Sequence, residues 1–342
     1  MPSPKLSELP KEPQRTSSGR AIAVSFAVVV LAYALANVTT ALWLDAAPQN
    51  VGYAVVEHKW QAVVAQDEPM QWLFLGDSSC NQGVMPERVE AALGGSAYNA
   101  CTIGSATVAD DAWMLSWLLE HDAAPANLVV IHTWDTWRRD DSTLRAMLYL
   151  VPSEAWRGRE PRPSTSMLES LLARVGHWAP LASQPRSVYL LLTNAGRARI
   201  PESISIDEHG FMAMPFVNEA ALERDARKHL SLVRSESFTS SEWSDEAIRT
   251  LLGDANDAGI NTLLVMAPVF EGVLVEPEFA AYMGDYHAYL NELAGEYEHV
   301  NAQPNTPVAL PSTQLEKVDH PTPAGAVVYT DAIIGWLAEP SL

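Results

Sequence analysis

From Ala21 to Leu44 the chain runs 24 residues without a charged side chain. As a helix rising about 1.5 Å per residue, that stretch reaches about 36 Å, enough for a hydrocarbon core of about 30 Å. Lys5, Lys11, Arg15 and Arg20 precede it and Asp45 follows it. The positive-inside rule therefore predicts residues 1–20 as a cytoplasmic tail, 21–44 as a single-pass membrane anchor, and everything after Leu44 as extracytoplasmic. Two other readings stand beside the anchor. Ala34-Leu35-Ala36 looks like a signal-peptidase site behind an apolar core, and a long buried helix has a similar composition. The length of the span favours the anchor.

As a whole the 342-residue chain is globular in composition, 48% hydrophobic, with 42 acidic residues against 22 basic ones and a net charge of −20. So acidic a surface repels phosphate backbones, and no basic cluster offsets it, which argues against nucleic acid as a partner. It keeps an exported domain soluble and disfavours a strongly anionic polymer as ligand. The only cysteines are Cys80 and Cys101, too few for a Cys-rich zinc module. In an oxidising compartment they can close a short-loop bridge or stay as two buried thiols, and the sequence leaves both open. There is no Gly-rich phosphate loop and no His-Glu-x-x-His, so no cofactor and no metal are predicted.

Residues 45–70 mix Pro, Gly and charge around one helical pattern at Tyr53–Val64 and read as a stalk. The domain proper is expected over 71–342. Trp72–Leu75 suits a buried strand stopped by Gly76-Asp77. A helix follows from Pro86 to Leu93, ended by Gly94-Gly95, then a strand at Ala97–Cys101, a helix at Val108–His121 and a strand at Leu128–His132. This β-α-β-α-β rhythm predicts an α/β fold with a doubly wound parallel sheet. It lapses between about 138 and 240, read as a largely helical insertion with helices near Met167–Val175 and Glu219–Val233 and an extended piece at Ile204–Phe216. It resumes with a helix at Ser244–Ala258, a strand at Thr262–Met266, a helix at Phe279–Tyr297, a short strand at His299–Asn301 and a last helix at Pro323–Leu337.

Open parallel sheets bind ligands beyond the carboxyl ends of their strands. There the chain places Gly76-Asp77-Ser78-Ser79, Asn99 to Gly104, and His132-Thr133-Trp134-Asp135, with Asp319-His320-Pro321-Thr322-Pro323-Ala324-Gly325 ahead of the final helix. A serine on a strand-to-helix turn offers its hydroxyl beside free backbone N–H groups, and a histidine returning to the same edge can take the hydroxyl proton. Ser78 and His320 meet these two conditions.

The order strand, Gly-Asp-Ser, helix, Gly-containing turn and late His-x-x-x-x-Gly resembles the SGNH/GDSL hydrolase superfamily, over residues 72–135 and 245–337. With the anchor and exported domain, the chain is similar to its cell-envelope acyl-transfer members, such as those of teichoic acid D-alanylation and alginate O-acetylation. The resemblance implies a flavodoxin-like three-layer sheet and an esterase or O-acyltransferase working on acyl esters of glycans through an acyl-serine, with envelope-assembly proteins as partners. It makes Ser78 the nucleophile and first oxyanion donor, Gly104 the glycine of the second block, and His320 the general base. Two positions depart from the pattern. The third block, usually Gly-x-Asn-Asp, reads His132-Thr133-Trp134-Asp135, so Asn99, His132, Thr133 or backbone alone must supply the missing donor. The triad acid is expected three residues before the histidine, where Lys317 stands; Asp319 is the favoured replacement, ahead of Glu316, a Ser-His dyad or a carboxylate from elsewhere.

Each remaining candidate has an ordinary reading beside the functional one. Trp134 and Trp137 suit sugar stacking, but tryptophans beside an apolar strand more often pack a cap onto a sheet. His132 is more simply a hydrogen-bonded structural histidine. Asp110-Asp111 is expected as a charge pair in a helix's first turns rather than a metal site, and Asp140-Asp141 lacks a spaced ligand loop. A catalytically inactive, glycan-binding module on the same scaffold is the alternative to an enzyme.

Overall fold

The computed structural model describes residues 16–46, 51–145, 148, 150–157, 159–163, 181, 188, 205–214, 216–217, 219–234, 236–304 and 307–339. Helix α1 (Thr16–Ala46) contains the stretch Gly19–Trp43, long and apolar enough to cross a membrane by length and composition and only 6% buried. Helix α2 (Val51–Val64) was expected as part of a stalk, yet it belongs to the domain wall. Its Val55, Val56, Trp60 and Val63, spaced for one helical face, are all buried.

Five parallel strands form the centre: β1 (Trp72–Gly76), β2 (Ala97–Asn99), β3 (Asn127–His132), β4 (Asn261–Met266) and β5 (Val300–Ala302), in the order β2-β1-β3-β4-β5. In the connections run helices α3 (Ser78–Gly83), α4 (Pro86–Leu93), α5 (Thr107–Glu120), α6 (Glu219–Val233), α7 (Glu242–Asp257) and α8 (Pro277–Ala294), and α9 (Pro323–Leu337) ends the fold. The strands are apolar on both faces because both are covered. Leu73, Leu75, Leu128, Val130, Leu264 and Met266 join the core under α5, α7 and α8. Phe74, Val129, Ile131, Leu263 and Val265 join Cys80, Val89, Tyr329 and Ile333 of α3, α4 and α9. The α/β fold read from the sequence is thus present, and the strand order is one of the two common doubly wound orders, whose switch point lies between β1 and β3.

Local chemistry explains the boundaries. Pro323 opens α9, where a missing N–H costs nothing. Ser241 caps α7 by accepting from the Ser244 N–H at 3.1 Å, and the inward face of α7 carries Ala247, Ile248, Leu251, Leu252 and Ala255. Gly76 ends β1 at φ +148°, where a Cβ would lie 1.8 Å from the Ile131 carbonyl oxygen of β3, so no other residue fits that crossing.

In the insertion, the helix expected near Met167–Val175 falls outside the described residues. The extended piece is a short antiparallel pair, Ser205–Ile206 with Met212–Ala213, and α6 matches its expected range. Both pack inward. Met212 Sδ accepts from Asn81 Nδ2 of α3 at 3.6 Å, and Asp225 of α6 accepts from the Val318 N–H at 3.3 Å.

Cys80 and Cys101 form a disulfide with a sequence separation of 21, and both are fully buried. Chain entropy assigns a loop of that length about 3 kcal/mol. Replacing both cysteines by alanine is expected to lower the unfolding free energy by about that amount, read from the urea midpoint of oxidised protein. An unchanged midpoint would show that the bridge does not constrain the unfolded chain.

Candidate active site

Ser78 is the first residue of α3, immediately after Gly76-Asp77, and its hydroxyl lies at the C-terminal edge of the sheet. His320 arrives there from the far end of the chain on a small antiparallel hairpin, Leu315–Lys317 with His320–Pro321. The glycine of the late motif makes the hairpin seat possible, because a Cβ on Gly325 would stand 2.3 Å from the Gln314 carbonyl oxygen. Ser78 Oγ is 2.8 Å from His320 Nε2, and His320 Nδ1 is hydrogen-bonded to Asp319 Oδ1. The three side chains expected to work together are thus contiguous, in the order hydroxyl, imidazole, carboxylate. The Asp319 side chain folds back onto its own neighbour because the Asp225 contact and the hairpin pairing fix the 317–320 turn.

Charge in this cluster is set by burial and pairing. Burial would push the Asp319 carboxyl up, but the adjacent His320 holds it below its ordinary value. Burial would lower the His320 imidazole, but the charge and hydrogen bond of Asp319 raise it above 6.5.

Behind the serine lies a second, fully buried network that the sequence reading did not anticipate. Asp77 Oδ1 accepts from the Ser79 N–H at 2.9 Å and the Ser79 hydroxyl at 2.7 Å. Its Oδ2 accepts from the Thr133 N–H at 2.7 Å and lies 2.8 Å from the hydroxyls of both Thr133 and Thr136. His132 Nε2 is 2.6 Å from Asp111 Oδ2, while its Nδ1 is 3.7 Å from Asp77 Oδ2, an ion-pair distance rather than a hydrogen bond. Burial opposes charge on His132, but Asp111 and Asp77 outweigh it and raise the imidazole to about 9. Burial also opposes charge on Asp77, yet His132 and the surrounding donors hold its carboxyl far below the usual range. Asp110 lies in the first turn of α5 as expected, but neither it nor Asp111 is a solvated helix-end charge, because both are fully buried. Both point inward, Asp110 accepting from Trp60 Nε1 at 2.7 Å and from the Thr102 hydroxyl at 2.9 Å. Two adjacent acids opening an otherwise apolar run, Ala112 to Leu115, and a strand-end histidine read as structural were the sequence signals for this network.

The other expected site residues are placed differently. Asn99 is buried, its Nδ2 donating to the carbonyls of Cys80 and Val84 at 3.0 Å and its Oδ1 accepting from the Cys101 N–H. Lys59, buried on α2, donates to the Asn99 and Gly210 carbonyls, and burial drives its ammonium well below its ordinary value although Asp207 opposes this. His132 and Thr133 belong to the Asp77 network. Trp134 is 2% exposed and meets His229, Phe279 and Tyr282 edge-on, while Trp137 donates to the Tyr286 hydroxyl. Trp134 packs insertion helix α6 against α8, while Trp137 packs α8 against His132 of the sheet. Gly104 starts a short turn at the same edge, next to Thr136 and Arg139. Among the described residues, no cluster of His, Cys, Asp and Glu is arranged to hold a metal ion.

Asp110 makes the network pH-sensitive. Burial and Asp111 raise its carboxyl from 3.8 to about 7, so the folded state prefers the neutral form. Folding stability attributable to this residue is full below 3.8 and declines as pH rises toward 7, beyond which both states are ionised and the penalty stays constant. Asp110→Asn, which keeps an acceptor for Trp60, is expected to gain stability over the parent progressively from about pH 4 to about pH 7 and then to hold that gain. Thermal melts across pH check this, and a gain independent of pH would refute it.

Compared with known proteins, the sequence matches no protein-family model, and no curated protein is significantly similar to it.

Proposed function

We propose that this chain is a membrane-tethered, extracytoplasmic SGNH-type serine enzyme, an esterase or O-acyltransferase acting on acyl esters of cell-envelope or extracellular glycans. One observation carries the reading: Ser78 Oγ stands 2.8 Å from His320 Nε2 across 242 residues of chain, with Asp319 on the other ring nitrogen. A structural hydrogen bond needs no such ordered trio at a sheet's ligand-binding edge. The tether rests on α1 and the cations ahead of it. A buried disulfide is in keeping with an exported domain.

In the first step His320 Nε2 takes the Ser78 proton as Oγ bonds to the ester carbonyl carbon, and the carbonyl π pair moves onto oxygen. Asp319 holds the imidazole in the required tautomer and balances its charge. The Ser78 N–H faces the developing oxyanion. Collapse of this intermediate expels the alcohol, which receives the proton from His320 and leaves acyl-Ser78. Water or a glycan hydroxyl then repeats the sequence and returns the enzyme.

Intact-mass analysis after fluorophosphonate treatment tests the assignment. One adduct is expected on the parent protein and none on Ser78→Ala, and His320→Ala should label about 100- to 10,000-fold more slowly. Absence of an adduct on the parent, or an equal one on Ser78→Ala, would overturn it. The rival reading, a binding module that has kept only the scaffold, draws on the missing third-block asparagine and is selected by that negative result together with glycan binding that survives Ser78→Ala.

A pH profile follows from the His320 shift. The imidazole must be neutral to act as base, so the labelling rate should rise with pH through a value above 6.5. In Asp319→Asn the partner charge that raises His320 is gone, so the rising limb should move to lower pH while the plateau falls. A limb that stays in place would show that Asp319 does not tune the base.

A further inference from the structure

The third-block sequence lacks the asparagine that would face an oxyanion, and the side chains first considered as substitutes are engaged elsewhere. Asn99 Nδ2 serves two carbonyls, His132 is held between carboxylates, and the Thr133 hydroxyl lies within hydrogen-bond distance of Asp77 and Asp135. One strong donor group does occupy this edge. Arg139 Nη1 lies 2.6 Å from the point where a Cβ on Gly104 would stand, with Thr136 Oγ1 at 2.9 Å from the same point. Both neighbours adjoin the nucleophile turn, since the Thr136 hydroxyl contacts Asp77 at 2.8 Å and the loop leading to Gly104 bonds the Gly76 carbonyl through the Thr102 N–H at 2.8 Å.

The guanidinium is held by one edge only. Arg139 Nη2 donates to Asp135 Oδ2 at 2.8 Å, and among the described residues Nη1 and Nε have no hydrogen-bond partner. The side chain is 29% exposed, so it is open to a ligand while its position is set by Asp135 and by the backbone bond from its N–H to the Thr136 carbonyl.

We propose that Arg139 supplies the side-chain oxyanion donor in place of the absent asparagine, its Nη1 N–H pointing past Gly104 at the ester oxygen as the carbonyl π pair moves onto it. This rests on the acyl-serine reading above. The donor is charged and therefore stabilises the anionic intermediate more than the neutral ester, which places its effect in kcat rather than in KM.

The test uses the full-length protein in detergent, with p-nitrophenyl acetate as substrate and fluorophosphonate labelling in parallel. Arg139→Ala should lower kcat by about 100- to 1,000-fold with KM little changed, Arg139→Lys should retain part of the rate, and added millimolar guanidinium should restore part of it to Arg139→Ala alone. Asp135→Asn, which removes the partner charge but keeps an amide oxygen to accept from Nη2 and hold the guanidinium, should keep most of the rate. Unchanged kcat in Arg139→Ala overturns the assignment. So does a loss that Asp135→Asn reproduces and guanidinium does not relieve, because that is a structural effect. If the parent forms no adduct, the acyl-serine reading falls and this one with it; an adduct together with either negative result removes Arg139 alone.

Discussion

The carboxylate of Asp77 is the fixed point around which the sheet's working edge is assembled. A buried carboxylate without donors is costly, and this one recruits them from two separate segments: the first turn of α3 and the loop after β3. In satisfying it, the chain caps the helix that begins with Ser78 and draws the 133–136 loop against the same turn. His132 provides the counter-charge from β3 and is itself held by Asp111 of α5. The turn that carries the serine hydroxyl is thus set by buried groups behind it rather than by solvent-exposed ones.

The insertion contributes from the opposite side. Through Asp225 it fixes the turn that carries His320, and through Met212 it rests on the helix that carries Ser78. Ser78 and His320 lie 242 residues apart in the chain, and the insertion, the part of the sequence with no regular rhythm, contacts the support of each.

Much of the scaffold was readable because its signals are local. A strand buried on both faces is a short apolar run, a helix carries its cap and its stripe, and Gly-Asp-Ser and His-x-x-x-x-Gly mark the turns around Ser78 and His320. The last helix, Pro323–Leu337, lies where its opening proline put it. What escaped reading is pairing between distant polar residues. Lys59 meets the carbonyls of Asn99 and Gly210 across 40 and 151 residues, and Asp111 meets His132 across 21. Periodicity reports which face is apolar but not which polar groups find each other inside. The same limit made α2 look like a stalk. Its helical pattern was visible, whereas the partner that takes up the Trp60 N–H, Asp110, lies 50 residues away.

Because α2 is built into the domain wall, the chain joining the end of α1 to the folded body is only the stretch from Ala46 to Val51, and α1 itself touches that body where the Leu181 N–H donates to Asn37 Oδ1 at 3.1 Å. The five Cα–Cα steps of that stretch, fully extended, reach about 18 Å. A free 25-residue leash would let the domain roam over several times that radius. Here α2 is fixed in the domain wall, so the folded body starts no further from the end of α1 than that short connection allows.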